Sequence, residues 1–302
     1  MDLSKVCKDI RTLKVQGAAN VARYALMGYA LTAARSKAKT KQQFFSELNQ
    51  AKKKLFATRP TEPAMRNYIN FVTRIVENEG LTDVKRLKLL TQQFSKKLIA
   101  ERKKEKEKLY SYGANEIKSG SIVFTHCHSS SVMGVLKEAR KKRKFQVYNT
   151  ETRPLFQGRK TAKELAKVKI PVTHFVDSAA RVAIKKSDIM LIGADSITPT
   201  RVFNKIGSEM FAEIAQKYGV PVYVCSSAWK FNPLTTKGFG EKIEERNPNE
   251  IWKFPPKGVK IKNYAFEKVH IDLIEGFISE LGVLNSSMFF QEIKLKHPWM
   301  FQ

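Results

Sequence analysis

The chain has 302 residues, 42% of them hydrophobic and 19 of them Phe, enough to build a sizeable core and to exclude a disordered polymer. Its 55 Lys and Arg against 28 Asp and Glu leave a net charge of +27, a balance that attracts polyanions, so nucleic acid and phosphorylated metabolites both stay open as partners. Three widely spaced cysteines, Cys7, Cys127 and Cys225, exclude a disulfide framework and a CxxC metal knuckle and point to a reducing cytoplasm.

At roughly 150 residues per domain the length predicts two domains. The opening MDLSKVCKDIRTLKVQG lacks the apolar run of a signal peptide, and no stretch reaches the ~18 apolar residues of a membrane span, so no membrane partner is expected. Leu3, Val6, Ile10 and Leu13 recur at helical spacing. A small-residue-rich helix is expected over 19–37, and Phe44, Leu48, Ala51 and Leu55 form a third stripe. Pro60 and Pro63 force a break. Tyr68 to Val76 reads as helix, Gly80 stops it, and Thr82 offers an N-cap to the next, whose face carries Leu87, Leu90, Phe94 and Leu98. That helix runs into ERKKEKEK, residues 101–108, a mixed-charge surface with i,i+4 pairs.

From Gly120 short β-rich runs alternate with helical stretches. The expected strands are 121–125, 145–148, 172–176, 189–192 and 222–225, with helices near 132–142, 162–167, 179–186 and 209–218. Such alternation predicts a parallel sheet. The fold class is therefore α/β: a helical N-terminal domain, residues 1–118, followed by a Rossmann-like, mainly parallel sheet domain with helices on both faces, residues 119–302.

Ligands of open parallel sheets bind beyond the carboxyl ends of the strands. After the first strand come His126, Cys127, His128, Ser129, Ser130 and Ser131. The serines suit either a phosphate cradle at a helix N-terminus or plain capping, and a thiol at that end would have a lowered pKa. A metal reading of His126-Cys127-His128 is disfavoured, because adjacent residues of an extended segment point to opposite faces. After the second strand Arg153 could grip a phosphate or carboxylate. Asp177 and Ser178 follow the third. Asp195 follows the fourth, as a cap or as a general acid or base. Asn204-Lys205 is read as opening a helix, and Lys230 follows the fifth strand. Together these predict a pocket for an anionic polar molecule. Neither GxGxxG nor GxxxxGK[ST] is present, and no cofactor is expected.

The segments THCHSS (125–130), TETRP (150–154), VDSAAR (176–181), GADSI (193–197), NKIGS (204–208) and WKF (229–231) resemble, in order and spacing, one superfamily. It comprises the alpha, beta and delta subunits of translation initiation factor 2B, methylthioribose-1-phosphate isomerase and archaeal ribose-1,5-bisphosphate isomerase. VQGAANVA (15–22) and ATRPTEP (57–63) are similar to its substrate-facing helical segments, so the resemblance covers nearly the whole chain. The enzymes need a cysteine and an aspartate that the factor subunits typically lack. Cys127 and Asp195 match them, and with ETRP and ATRP the chain looks most like the ribose-1,5-bisphosphate isomerases. The resemblance implies that Cys127 moves the C2 proton, that Asp195 assists ring opening and proton return, and that an enediolate-type intermediate forms. The phosphate contacts it implies are Gln16, Gly17, Ala18, Ala19, Arg59, Ser129, Ser130, Ser131, Asn204, Lys205 and Lys230. Gln16-Gly17-Ala18-Ala19 stands where those isomerases carry Arg-Gly-Ala-Gly.

Two alternatives stand beside this: a non-catalytic factor 2B alpha-like subunit, and methylthioribose-1-phosphate isomerase, whose substrate has one phosphate. The resemblance further implies a homodimer or homohexamer and leaves an AMP activator open. The basic run Lys137, Arg140, Lys141, Lys142, Arg143 and Lys144 is read as a solvated face, not a specific nucleic-acid site, because it lies away from aromatic stacking groups.

Overall fold

The computed structural model describes residues 2–60, 62–240, 243 and 245–302; Thr61 of the ATRPTEP segment lies outside them. The chain forms two compact units. One spans Met1–Lys104 and includes Trp229–Asn232 and Gln302; the other comprises Glu105–Ala228 and Pro233–Phe301.

The first unit is helical: α1 (Leu3–Arg11), α2 (Ala18–Arg35), α3 (Lys41–Phe56), α4 (Pro63–Asn78) and the first part of α5 (Val84–Glu116). Apolar stripes at helical spacing make its core, with Val6, Ile10, Leu26, Phe44, Leu48, Leu55, Ile69 and Val72 buried. Pro63 opens α4, where its missing N–H costs nothing. Leu13 follows α1 with φ +58, outside the helix its spacing suggested. The α5 N-cap is Asp83 rather than Thr82: its carboxylate accepts from Lys85 N at 3.0 Å. The ERKKEKEK surface has one exception. Arg102 is buried, its guanidinium 4.3 Å from the Trp229 ring.

The second unit holds a seven-stranded sheet of β1 (Ile122–Thr125), β2 (Gln146–Thr150), β3 (Val172–Phe175), β4 (Ile189–Ile192), β7 (Val222–Cys225), β9 (Gly276–Ser279) and β10 (Gly282–Leu284). Their order is β10-β9-β7-β4-β1-β2-β3, parallel except for β10. The five expected strands are there. Between them run α6 (Ser130–Arg140), α7 (Gln157–Lys167), α8 (Ala180–Ile184) and α9 (Ser208–Lys217), with α10 (Ser286–Lys296) near the C-terminus. Helix α6 packs with α7, and α8 with α9. Right-handed crossovers put helices on opposite faces when the strand order reverses, and the order reverses between β1 and β4. Val123, Val135, Leu136, Val147, Leu165, Leu191 and Ile278 belong to the core cluster around this sheet.

A second, antiparallel sheet joins β5 (Ser196–Ile197), β6 (Arg201–Lys205) and β8 (Phe266–His270). Asn204 and Lys205 therefore end a strand instead of opening a helix. Helix α9 starts at Ser208, after Gly207 with φ +99. The partner of Lys205 across the sheet is Phe266, a pairing that local periodicity does not report. The basic run on α6 is also less solvated than its composition suggests. Lys137 pairs with Glu164 at 3.1 Å, Lys141 with Glu138 at 2.6 Å, Arg140 Nε donates to Lys169 O at 3.1 Å, and Arg143 donates to Ala114 O.

Helix α7 lies hard against β2 because residue 158 is glycine: a Cβ there would sit 1.7 Å from the Thr150 carbonyl oxygen. Asn149 Nδ2 donates to Gly158 O at 2.8 Å and reinforces the contact. Gly158→Ala should therefore cost at least about 1–3 kcal/mol through overpacking. In a thermal melt that is a drop of roughly 2–10 °C; an unchanged melting temperature would show that α7 is free to shift. Among the described residues no helix is long and apolar enough to cross a membrane.

Candidate active site

The strand order reverses between β1 and β4, the position where open α/β sheets bind their ligands. These two strands are hydrogen-bonded neighbours. Cys127 follows the first and Asp195 the second, so the fold delivers the thiol and the carboxylate to one end of adjacent strands.

Three anchors hold the turn after β1. His126 is buried, with Nδ1 2.6 Å from Thr150 Oγ1 and Nε2 2.9 Å from the Ile206 carbonyl, so it ties β1 to β2 and to the end of β6. Cys127 takes a left-handed backbone, φ +67. Its N–H donates to Thr152 Oγ1 at 3.0 Å, and its carbonyl accepts from Thr161 Oγ1 at 2.7 Å. His128 Nδ1 lies 3.0 Å from the same Thr161 hydroxyl. Asp195 N donates to Phe203 O at 2.8 Å, which fixes the end of β4 against β6.

The electrostatics overturn one expectation. Burial pushes the Cys127 thiol up to about 12; the neighbouring carboxylates Asp195 and Asp177 add to this, while a hydrogen bond from the His128 backbone and the Lys205 charge oppose it. The lowered thiol expected from a helix end is not found. Helix α6 begins only at Ser130, and its cap is the Ser129 hydroxyl, which accepts from Val132 N at 3.4 Å. Desolvation outweighs the helix dipole, whose influence fades within a turn. Burial likewise lowers His126 to about 4, so its bonds are those of a neutral ring. Lys205 is 5% exposed, and burial holds its ammonium below the ordinary lysine value, partly offset by Cys127, Glu250 and Asp177.

The other sequence-derived candidates divide between the two units. In the α/β unit, Ser129 caps α6, Ser130 is exposed and Ser131 is buried. Gly193 lies against Ser129; a Cβ there would meet its Oγ at 2.6 Å. Asn204 Nδ2 donates to Ser208 Oγ at 3.1 Å. Arg153 is exposed, stacked over Phe156 at 5.0 Å, and precedes a cis proline. In the helical unit, Gly17 caps α2 with φ +81 and ψ +128, a conformation open to glycine, and supplies no side-chain cap hydrogen bond. Gln16 is exposed and bonds Leu13 O at 3.0 Å; Ala18 is buried and Ala19 partly so. Arg59 is not an open cation: it is buried and paired with buried Glu62 at 3.0 Å. Lys230 is buried in the Trp229–Phe231 turn, which Asn67 holds through bonds of 2.8 Å to both Trp229 O and Phe231 O.

Sequence reasoning gave no role to Thr152, although it lies inside the TETRP segment, nor to Thr161, which lies outside every quoted segment, and it noted Asp177 only as a strand-end residue within VDSAAR. Among the described residues no cluster of His, Cys, Asp and Glu could hold a metal ion.

The initiation factor 2 subunit family model matches residues 14–286. The chain belongs to that family. Within it, a ribose 1,5-bisphosphate isomerase of Thermococcus kodakarensis is 35% identical over 293 residues, covering 94% of this chain and 91% of that protein. A methylthioribose-1-phosphate isomerase of Dehalococcoides mccartyi is 30% identical, covering 94% and 90%. The crystal structure of Pyrococcus horikoshii OT3 translation initiation factor eIF-2B superposes with a TM-score of 0.81 at 22% identity, covering 94% of this chain and 96% of that one. This last likeness is one of fold.

Proposed function

We propose that the protein is a ribose-1,5-bisphosphate isomerase, an aldose–ketose isomerase that makes ribulose 1,5-bisphosphate in AMP and nucleoside salvage. The observation that carries this is the position of Cys127 and Asp195 just after adjacent strands, at the point where the strand order reverses. The isomerisation removes a proton from C2 and gives one to the ring oxygen as its bond to C1 breaks; the C2 hydroxyl then loses its proton to become the carbonyl while C1 gains one. Cys127 moves the C2 proton; Asp195 serves ring opening and proton return. The resting thiol is neutral, so it takes the C2 proton only after passing on its own. Asp195 is a carboxylate in electrostatic reach, and Lys205 favours the thiolate.

Lys205, Asn204 and Ser129 to Ser131 are the proposed phosphate contacts of the α/β unit, with Arg153 at their margin. Gln16, Gly17, Ala18, Ala19, Arg59 and Lys230 are proposed on the resemblance alone. Arg59 enters already paired with Glu62, so its phosphate role requires that pair to be shared. The setting is a reducing cytoplasm, in keeping with three free cysteines. Homodimeric or homohexameric assembly and activation by AMP belong to the same proposal; light scattering and turnover with and without AMP test them.

Methylthioribose-1-phosphate isomerase is the second reading, because a protein of that name is 30% identical. Purified protein should convert ribose 1,5-bisphosphate without added metal and in the presence of chelator; the stopped reaction is then read as 3-phosphoglycerate with RuBisCO supplied with excess Mg²⁺, which that coupling enzyme itself requires. It should leave methylthioribose 1-phosphate unchanged. No product at micromolar enzyme would overturn the activity, and turnover of the thioether substrate instead would replace it with the second reading.

A further inference from the structure

Five non-glycine residues of known placement have left-handed backbone, and three of them, Cys127, Thr152 and Phe156, lie in the turns after β1 and β2. Threonine is β-branched and avoids this conformation. Such residues persist only where their surroundings over-determine them, and they concentrate at functional sites. The bonds that over-determine these two turns form one chain. Asp177, just after β3, uses both carboxylate oxygens: Oδ1 accepts from Thr152 N at 2.8 Å and Oδ2 from Arg153 N at 2.7 Å. These two bonds hold Thr152 at φ +65. The Thr152 side chain is fully buried, and its hydroxyl lies 3.4 Å from both Thr150 O and His126 Nδ1. Donating to either leaves an oxygen lone pair for the Cys127 N–H at 3.0 Å. From the other side Thr161 Oγ1 donates to Cys127 O.

We propose that Asp177 and Thr152 are positioning residues for Cys127: the carboxylate fixes the strained turn at Thr152, and the threonine hydroxyl fixes the strained turn that aims the thiol. Asp177 touches no reacting atom: it places the thiol through Thr152, and its charge separately raises the thiol. No neutral group replaces it, because both its oxygens face N–H donors, and an amide would present its own N–H to one of them. Thr152 needs its hydroxyl but not its methyl. The inference rests on the isomerase reading for its kinetic consequence. Its structural content, the fixed placement of the thiol, is measured without substrate.

The test compares wild type with Thr152→Val, Thr152→Ser and Asp177→Asn. Turnover of ribose 1,5-bisphosphate is read beside the iodoacetamide alkylation rates of Cys127 and Cys225, followed by peptide mapping in the native protein. Thr152→Val and Asp177→Asn should lower kcat by up to about 10²-fold, the scale of misplacing a reacting group, with KM little changed. In Thr152→Val, which leaves every charge in place, Cys127, released toward solvent, should alkylate severalfold faster, while core Cys225 keeps its wild-type rate; in Asp177→Asn the lost charge also eases ionisation of the thiol, so that variant is read by kcat. Thr152→Ser should restore both readouts. Parallel acceleration of Cys127 and Cys225 would reveal general loosening and overturn the positioning role, as would kcat within twofold of wild type in both impaired variants. If wild type itself is inactive, the isomerase reading fails. In that case a selective rise at Cys127 in Thr152→Val still supports the positioning chain, and unchanged alkylation in that variant refutes it.

Discussion

Cys127→Ser should lower turnover by about 10²–10⁴-fold, the usual worth of a general acid–base group. A hydroxyl is a far weaker acid than a thiol, so a serine here cannot exchange protons at the same site even though its backbone bonds to Thr152 and Thr161 survive. Those bonds involve only the peptide group, and the variant should therefore fold and bind substrate with KM little changed. The meaningful control is Cys225, the last residue of β7 in the same sheet. It is fully buried and belongs to the core cluster that includes Val123, Leu191 and Ile278. Serine at 225 would bury a hydroxyl in an apolar setting and cost about 1–3 kcal/mol of stability. Alanine is the cleaner control: Cys225→Ala, like Cys7→Ser, should leave turnover near wild type. If Cys225→Ala proved as damaging as Cys127→Ser, the thiol would have been assigned to the wrong strand.

Asp195→Asn should likewise cut turnover by about 10²-fold or more, since the amide cannot take or return a proton. The substitution keeps the shape of the side chain and the backbone bond to Phe203 O. It has a second consequence of definite sign. The Asp195 charge is one of the causes that raise the Cys127 thiol. Removing it should let the thiol ionise at lower pH, so the alkylation profile of Cys127 moves toward neutrality while catalysis is lost. The shift should be partial, because burial is the larger cause and remains. Turnover retained above a tenth of wild type would remove Asp195 from the chemistry. An alkylation profile that does not move would show that the two groups do not sense one another.

Local patterns account for the part of this protein that was legible in the amino-acid sequence. Helical spacing in the first third and the β–α alternation from Gly120 follow from side-chain periodicities of 3.6 and 2, which any short window reveals. The parallel sheet then follows, and with it the rule that places function after the strands, which is how Cys127 and Asp195 were singled out. What the tertiary structure decided depends on groups far apart in the chain. Asn204 and Lys205 belong to β6 because β8, some 60 residues later, supplies its hydrogen bonds. Arg102 is buried in a run that looks fully solvated because Trp229 folds back over it. The same holds for the thiol. A cysteine near a helix start reads as activated, yet the first turn of α6 lies beyond it, and the surrounding protein removes the water that would stabilise its charge. Desolvation is a property of the whole packed neighbourhood, as is the chain from Asp177 through Thr152 to Cys127, which joins the ends of three strands that only the folded sheet brings side by side.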